Sequence, residues 1–424
     1  MDALWSGLDI LAILVVGVLN DHASTPEALT DPHALARERS LPGWAMGYRT
    51  DFGRDHQRPL AVFASPGRYV QGPGATWELG TELKRLGLSG PVLFIAGGTA
   101  RRTLASIWHE ILAPVGITPV IEAFGGECSE KEINRLVGLA ATQPFSAVVG
   151  AGGGKTSDTA RAVADELDLP VVITPTLAST DSPCSALSVI YTNGGGVQGF
   201  RFYNRHPLLL LVDTEVVAKA PKRQLVAGLG DALATWFEAR SCRQSHSCNV
   251  VGGYPTTTAT ALAKLCCDIL LTDGPAACSA VDSQVTTPAL ERIVEANNLL
   301  SGLGFESGGL ALAHAVHNGI SEIPASHAML HGEKVAFGLH TQLVMEGQPQ
   351  SEIQEIFSYC QSVGLPTTLQ QIGINPDDDE AIQQIAQRTV IPGESSHNEP
   401  FEVTAAAVAA AMRAADQQGR AYIN

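Results

Sequence analysis

FSAVVGAGGGKTSDTARAVADELDLPVVITPT (145–176) carries the decisive pattern. An apolar run ends in three successive glycines, a segment of helical length follows, and a second apolar run closes the unit. Within 155–168, Ala160, Val163, Ala164 and Leu167 fall at helical spacing. Strand, helix and strand in that order imply a βαβ unit and a parallel sheet. The pattern extends both ways. PVLFIAG (91–97) and TPVIEAF (118–124) are further buried-strand runs, separated by helical-length segments at 101–114 and 129–142. ALSVIYTNGGGVQGFRFY (186–203) has apolar and aromatic arms around NGGG, a hairpin signal, and LLLLVDT (208–214) reads as one more strand.

After about 221 the strand pattern stops. Segments 224–242, 256–272, 288–303, 306–320, 329–346, 351–363 and 403–419 suit helices, punctuated by Pro255, Pro275, Pro288, Pro324 and Pro366. The expected architecture is an N-terminal α/β domain with a parallel sheet (58–220) and an all-α domain (221–424). Residues 1–57 read as a mobile extension. Its apolar foot LAILVVGVL (11–19) is shorter than the ~20 apolar residues a membrane span needs, and no basic segment precedes it as in a signal peptide. Met46 would serve as an alternative start.

The chain has 424 residues, 45% of them hydrophobic and 17% charged, as in soluble globular proteins. A formal net charge of -16 argues against nucleic acid or an anionic membrane as the main partner. The 8 cysteines form no CxxC pair, which argues against a disulfide framework and for a reducing, cytoplasmic location.

Gly152, Gly153 and Gly154 remove side chains where a strand turns into a helix. Backbone N–H groups and the helix N-terminus can then face a phosphate, with Lys155 adding positive charge. The stretch is neither GxGxxG nor a Walker A loop, and a turn needed only for close strand–helix packing stays open as the alternative. TPTLASTDSPCSALSVIY (174–191) crowds hydroxyls and one carboxylate, Asp181, at a strand's carboxyl end, the ligand-facing edge of open α/β sheets. A polar turn capped by Asp181 is the plainer reading.

Five of the 12 histidines lie between 314 and 340. His314 and His317 are three apart and His327 and His331 four apart, so each pair shares a helix face. Imidazole suits a transition metal at neutral pH. GLGDALATWFEAR (228–240) puts Asp231 near a helix start, where an N-cap is the ordinary role. A carboxylate and histidines from separate helices can also converge on one metal, leaving a fourth position for substrate.

The stretches GGGKTSDTARAVADEL, PTLASTDSPCSALSVIYT, GLGDALATWFEAR, VTTPALERIVEANNLLSGLGFESGGLALAHAVHNG, HGEKVAFG and GESSHN are colinear from about residue 60 to the C-terminus. Together they resemble the glycerol dehydrogenases of the metal-dependent polyol and iron-type alcohol dehydrogenase superfamily, which has a dehydroquinate synthase-like fold. SPGRYVQG (65–72) looks like that family's first strand. The resemblance implies zinc held by Asp231, His314 and His331, with His317 and His327 as neighbours. Iron enzymes of the superfamily carry a further His one helical turn after the Asp; here that residue is Thr235, which favours zinc with an open position. The resemblance also implies pyrophosphate binding by Gly152, Gly153, Gly154 and Lys155, and dinucleotide binding by Thr174, Thr176, Leu177, Ser185, Leu187 and Tyr191. Asp181 would hold the polyol and Phe305 line its site. The implied activity is reversible oxidation of glycerol to dihydroxyacetone by NAD, in a homo-oligomer of up to eight subunits.

One departure concerns the cofactor. VLFIAGGTARR (92–102) puts Gly97 or Gly98 where the family has the Asp that binds the adenosine ribose. Its loss removes repulsion toward a 2′-phosphate, and Arg101 or Arg102 would pair with one. NADP use is therefore an expectation beside NAD; a solvated arginine face with NAD still preferred is the other. Other classes are a related polyol or phosphorylated-polyol dehydrogenase, a dehydroquinate synthase-like lyase, and a non-catalytic nucleotide-binding protein. The loop TLASTDSPCSALSVIY (176–191) lacks the basic side chains that a phosphorylated substrate or the lyase substrate needs.

Overall fold

The apolar runs flanking the glycine loop become neighbouring strands. A computed structural model describes residues 41–42, 60–141, 143–192 and 196–422. The expectation for residues 1–57 lies outside these, apart from Leu41–Pro42. The described strands are β1 (Leu41–Pro42), β2 (Tyr69–Gly72), β3 (Gly90–Ala96), β4 (Ile117–Ala123), β5 (Val148–Gly152), β6 (Val171–Pro175), β7 (Leu187–Tyr191), β8 (Val197–Phe202) and β9 (Leu209–Asp213). Six of them form a sheet in the order β2-β9-β6-β5-β3-β4, every pair parallel. The predicted hairpin is β7 against β8, with β1 on its outer edge.

The sheet is buried on both faces, as a parallel sheet requires. Along β3, Val92, Phe94 and Ala96 pack with Leu104, Trp108 and Leu112 on one side. The alternate residues Leu93 and Ile95 join the core that continues into the helical half. Helices α1 (Leu79–Arg85), α2 (Gly98–Leu112), α3 (Glu130–Ala140), α4 (Gly154–Glu166) and α5 (Thr214–Ala218) belong to the α/β half.

The helical half holds α6 (Lys222–Ser245), α7 (Thr257–Asp282), α8 (Pro288–Glu295), α9 (Ser301–Gly308), α10 (Leu312–Ser321), α11 (His331–Met345), α12 (Gln350–Val363), α13 (Asp379–Thr389) and α14 (Ala405–Gly419). Four details differ from the sequence expectation. Pro275 does not end a helix: α7 runs through it to Asp282, with Pro275 on the exposed face. The predicted 288–303 helix is α8 joined to α9 by a π-helical turn, Ala296–Leu300. The predicted 306–320 helix is interrupted at Gly309, whose φ of 100° ends α9 before α10 begins. Helix α13 is additional, with Ile382, Ile385, Ala386 and Thr389 buried at helical spacing.

Candidate active site

Strand order places the first part of the site. After β3 and β4 the chain crosses to the other side of β3 and lays down β5, β6 and later β9. The direction of winding therefore reverses between β3 and β5. Open α/β sheets bind ligands at the carboxyl ends of strands at such a switch point. Two helices start there on glycine, α2 with N-cap Gly97 and α4 with N-cap Gly153, and neither receives a side-chain cap. Their first N–H groups keep the capacity to bind an anion.

The glycines divide between two roles. A Cβ on Gly150 would lie 2.6 Å from Ala160 Cβ, and one on Gly152 2.6 Å from Thr156 Oγ1, so both serve strand–helix packing. Cβ atoms on Gly153 and Gly154 would meet nothing closer than 3.1 and 3.5 Å, in each case a side-chain atom of the next loop. Packing alone therefore accounts for the first pair better than for the second. Lys155 bonds Glu127 through Nζ at 2.6 and 2.7 Å, and its ammonium lies 4.6 Å from the centroid of the Tyr191 ring.

The loop after β6 is built on its own hydroxyls. Thr174 Oγ1 donates to Gly150 O (3.3 Å), Thr176 N to Gly152 O (2.9 Å), and the fully buried Ser185 through Oγ to Ser182 O (2.9 Å). Leu177 Cδ1 is the atom nearest a Cβ on Gly153, and Leu187 O accepts from Arg161 Nη1 at 2.9 Å. Thus the Ser185 hydroxyl holds the loop in shape and the Thr174 hydroxyl ties β6 to β5, although the resemblance assigns both residues to the dinucleotide.

Asp231 lies in the middle of α6, fully buried, and is not an N-cap. Its Oδ2 accepts from the Asp181 backbone N–H (3.1 Å). Its Oδ1 is buried and makes no hydrogen bond, although Nε2 of His331 and of His314 approach to 3.0 and 3.4 Å. One ligand atom from each of the three residues lies within 4.8 Å of the others. One hard and two borderline donors facing each other, with the carboxylate oxygen among them lacking a hydrogen bond, form an arrangement that suits a transition-metal cation.

Each imidazole is oriented from behind. His314 Nδ1 lies 2.6 Å from Glu238 Oε2, and Glu238 Oε1 accepts the backbone N–H of Ala311 (2.9 Å) and of His314 (3.0 Å). His331 Nδ1 lies 2.9 Å from His317 Nε2, and His317 Nδ1 3.2 Å from Asn318 Oδ1. A carboxylate or second imidazole behind a ligand fixes its tautomer. Burial alone would raise Asp231, but the imidazoles of His331 and His314 hold it well below the usual carboxylate range. Burial alone would lower His314, and the carboxylates of Glu238 and Asp231 raise it well above the usual imidazole range. Burial, then the charges of His331 and Lys334, keep His317 neutral. Burial and the Asp231 carboxylate push Asp181 well up.

The structure thus brings together Asp181, Asp231, His314 and His331, and leaves His327 exposed outside the cluster. Phe305 is buried on α9, four residues after Ser301 and so on the face that meets Asp181. Sequence reasoning missed Glu238 and Ser301. Glu238 was findable: Asp231, Thr235 and Glu238 follow the i, i+4, i+7 spacing of one helix face.

Residues 66–214 match the family model described as iron-containing alcohol dehydrogenase. The chain is 51% identical to the glycerol dehydrogenase of Thermotoga maritima over 84% of this chain and 96% of that protein. It is 49% identical to the glycerol dehydrogenase of Pseudomonas putida over 85% and 98%. The solved structure of glycerol dehydrogenase from Schizosaccharomyces pombe superposes with a TM-score of 0.82 at 36% identity, covering 86% of this chain and 92% of that one. The chain belongs to the iron-containing alcohol dehydrogenase family. Its fold is the dehydroquinate synthase-like one, and it is an alcohol oxidoreductase.

Proposed function

We propose that this chain is a zinc-dependent glycerol dehydrogenase that transfers hydride from the secondary carbon of glycerol to NAD, reversibly, giving dihydroxyacetone. The observation that carries the proposal is the meeting of Asp231, His314 and His331, with Asp181 hydrogen-bonded to the same carboxylate. These three residues would hold the metal. Thr235, at the position of a fourth ligand in iron enzymes, has its hydroxyl committed 2.7 Å from Ser301 Oγ, which supports a three-residue zinc site with an open position. Zinc bound there supplies Lewis acidity that lowers the pKa of a substrate hydroxyl.

The protein's own groups do the rest. Glu238 and His317 keep His314 and His331 aimed at Asp231. Asp181 bonds a neighbouring hydroxyl of the polyol and fixes which carbon is presented. A cation beside Asp231 would offset the repulsion that raises Asp181. Gly152 shapes the turn, while Gly153, Gly154 and the start of α4 face the pyrophosphate of NAD. Lys155 would exchange Glu127 for that anion. Thr174, Thr176, Leu177, Ser185, Leu187 and Tyr191 form the wall against the dinucleotide, and Phe305 flanks the substrate. Gly97 with Arg102 leaves room for NADP as well.

We further assign 58–220 to dinucleotide binding and 221–424 to the metal, in a homo-oligomer of up to eight subunits acting in the cytoplasm. The free state of all eight cysteines supports a reducing compartment. Among the described residues no helix is long and apolar enough to cross a membrane. Metal analysis together with a glycerol-dependent rise in NADH absorbance tests the activity. Protein that holds zinc yet gives no NADH with glycerol or another vicinal diol would refute it. Light scattering tests the assembly.

A further inference from the structure

Asp181 is tied into a closed ring of hydrogen bonds. Its backbone N–H donates to Asp231 Oδ2 (3.1 Å), and its Oδ2 accepts from Ser301 Oγ (2.9 Å). Ser301 Oγ in turn lies 2.7 Å from Thr235 Oγ1. A hydroxyl has one proton to donate. Ser301 gives its proton to Asp181, so Thr235 donates to Ser301. Thr235 follows Asp231 by four residues on α6, which closes the ring through one helical turn. Ser301, Thr235 and Asp231 are fully buried and Asp181 nearly so.

The surroundings make this ring stiff. A Cβ on Gly302 would lie 2.2 Å from Cys184 Sγ and 2.8 Å from Asp181 O, so α9 is pressed against the Asp181 loop. One on Gly304 would lie 2.5 Å from Thr235 Cγ2, so α9 is pressed against α6 as well. Ser301 thus bridges two elements with no slack on either side. It takes one oxygen of Asp181. The other, Oδ1, has no hydrogen bond among the described residues.

We propose that Ser301 and Thr235 are positioning residues that make Asp181 a selector for a hydroxyl on the carbon adjacent to the reacting one. The inference rests on the polyol reading above. The oxygen taken up at Asp231, His314 and His331 and the oxygen bonded to Asp181 are set apart by one rigid frame anchored on Asp231. A vicinal diol satisfies both positions. A monohydric alcohol leaves Asp181 Oδ1 without its partner, and sites built to bond a hydroxyl strongly reject the analogue lacking it.

The test uses the full-length, zinc-loaded wild type with S301A, T235V and T235S. Measured are kcat/KM for 1,2-propanediol and for 2-propanol, with the competitive inhibition constant of 2-propanol where turnover is too slow, plus zinc content and melting temperature. S301A and T235V are expected to lower kcat/KM for the diol about tenfold and to change the 2-propanol value less than about twofold. Zinc content should stay at the wild-type level, and T235S should restore the wild-type ratio. Equal losses on both alcohols, an unchanged ratio, or T235S behaving like T235V would overturn the inference. If S301A does not fold, the T235V and T235S pair decides alone. A wild type inactive on both alcohols overturns the polyol reading itself, and the inference with it.

Discussion

Glu238 does more for the candidate metal site than its place behind His314 would suggest. Both its oxygens are engaged: Oε2 with His314 Nδ1 at 2.6 Å, Oε1 with two backbone N–H groups. It therefore fixes the ring and also the start of α10 that carries it. Replacing it by Gln keeps the shape but removes the charge that makes Nε2 a strong donor. E238Q should weaken zinc binding about 10- to 100-fold, measured by competition with a chromophoric chelator, with melting temperature as the check on folding. Unchanged zinc affinity would show that His314 needs no carboxylate behind it. At this scale the sequence was partly legible. Residue type and spacing offered five clustered histidines and a carboxylate as candidates, because ligand chemistry depends on side chains that a sequence displays; the choice of Asp231, His314 and His331 among them came from the family resemblance. Ser301 was not legible, since a serine in an apolar helix signals nothing until its partners from α6 and the Asp181 loop are seen around it.

The candidate ligands Asp231 and His331 converge because α6 and α11 cross backbone against backbone. A Cβ on Gly332 would sit 1.8 Å from Ala227 O and 2.8 Å from Asp231 N, and one on Gly230 would sit 2.4 Å from Gly332 O. Gly332 directly follows His331, so the close crossing is what delivers His331 to Asp231. Gly228 performs the same service for the substrate loop, where a Cβ would meet Ala178 O at 1.9 Å. G332A must push α11 away from α6. It should destabilise the protein by about 1–3 kcal/mol, read from urea denaturation, and weaken zinc binding in the same variant. Stability lost with zinc affinity intact would mean that the crossing supports the fold but does not set the ligand geometry. Such crossings are hard to foresee, because glycine within a helix pattern looks only like a poor helix former. The same limit explains Pro275. Its local cost is visible in the sequence, but the packing of Cys266, Leu270, Ala277 and Cys278 that carries α7 through it is not.

At the scale of the whole molecule, periodicity was enough for the strands around the glycine loop, whereas β2 came from the family resemblance and α1 and α5 were not foreseen. Apolar strand runs and helical spacing are local signals, and each of the four strand runs around the glycine loop became a strand. Strand order is different. It depends on which edge each crossover returns to, and only the structure shows the reversal between β3 and β5. That reversal gives Gly97 its meaning, since it ends β3 opposite the glycine loop that ends β5. Gly97 has φ -60° and ψ 155°, and a Cβ there would find its nearest atoms at 3.7 Å. Neither backbone nor space therefore demands glycine. Beside it, Arg102 donates through Nη2 to Thr99 Oγ1 (3.0 Å), and its Nη1 would lie 3.4 Å from a Cβ on Gly98. An exposed guanidinium thus lies over the uncapped start of α2, where a 2′-phosphate would be attracted and a carboxylate would repel it. G97D should lower kcat/KM with NADP about tenfold, the effect of roughly 1.4 kcal/mol of repulsion, and leave the value with NAD nearly unchanged. The new Asp would also cap α2 slightly better than glycine, so the melting temperature should not fall. If the wild type already rejects NADP strongly, Arg102 takes no part in cofactor choice. If G97D depresses NAD and NADP equally, this edge of the sheet does not hold the adenosine ribose.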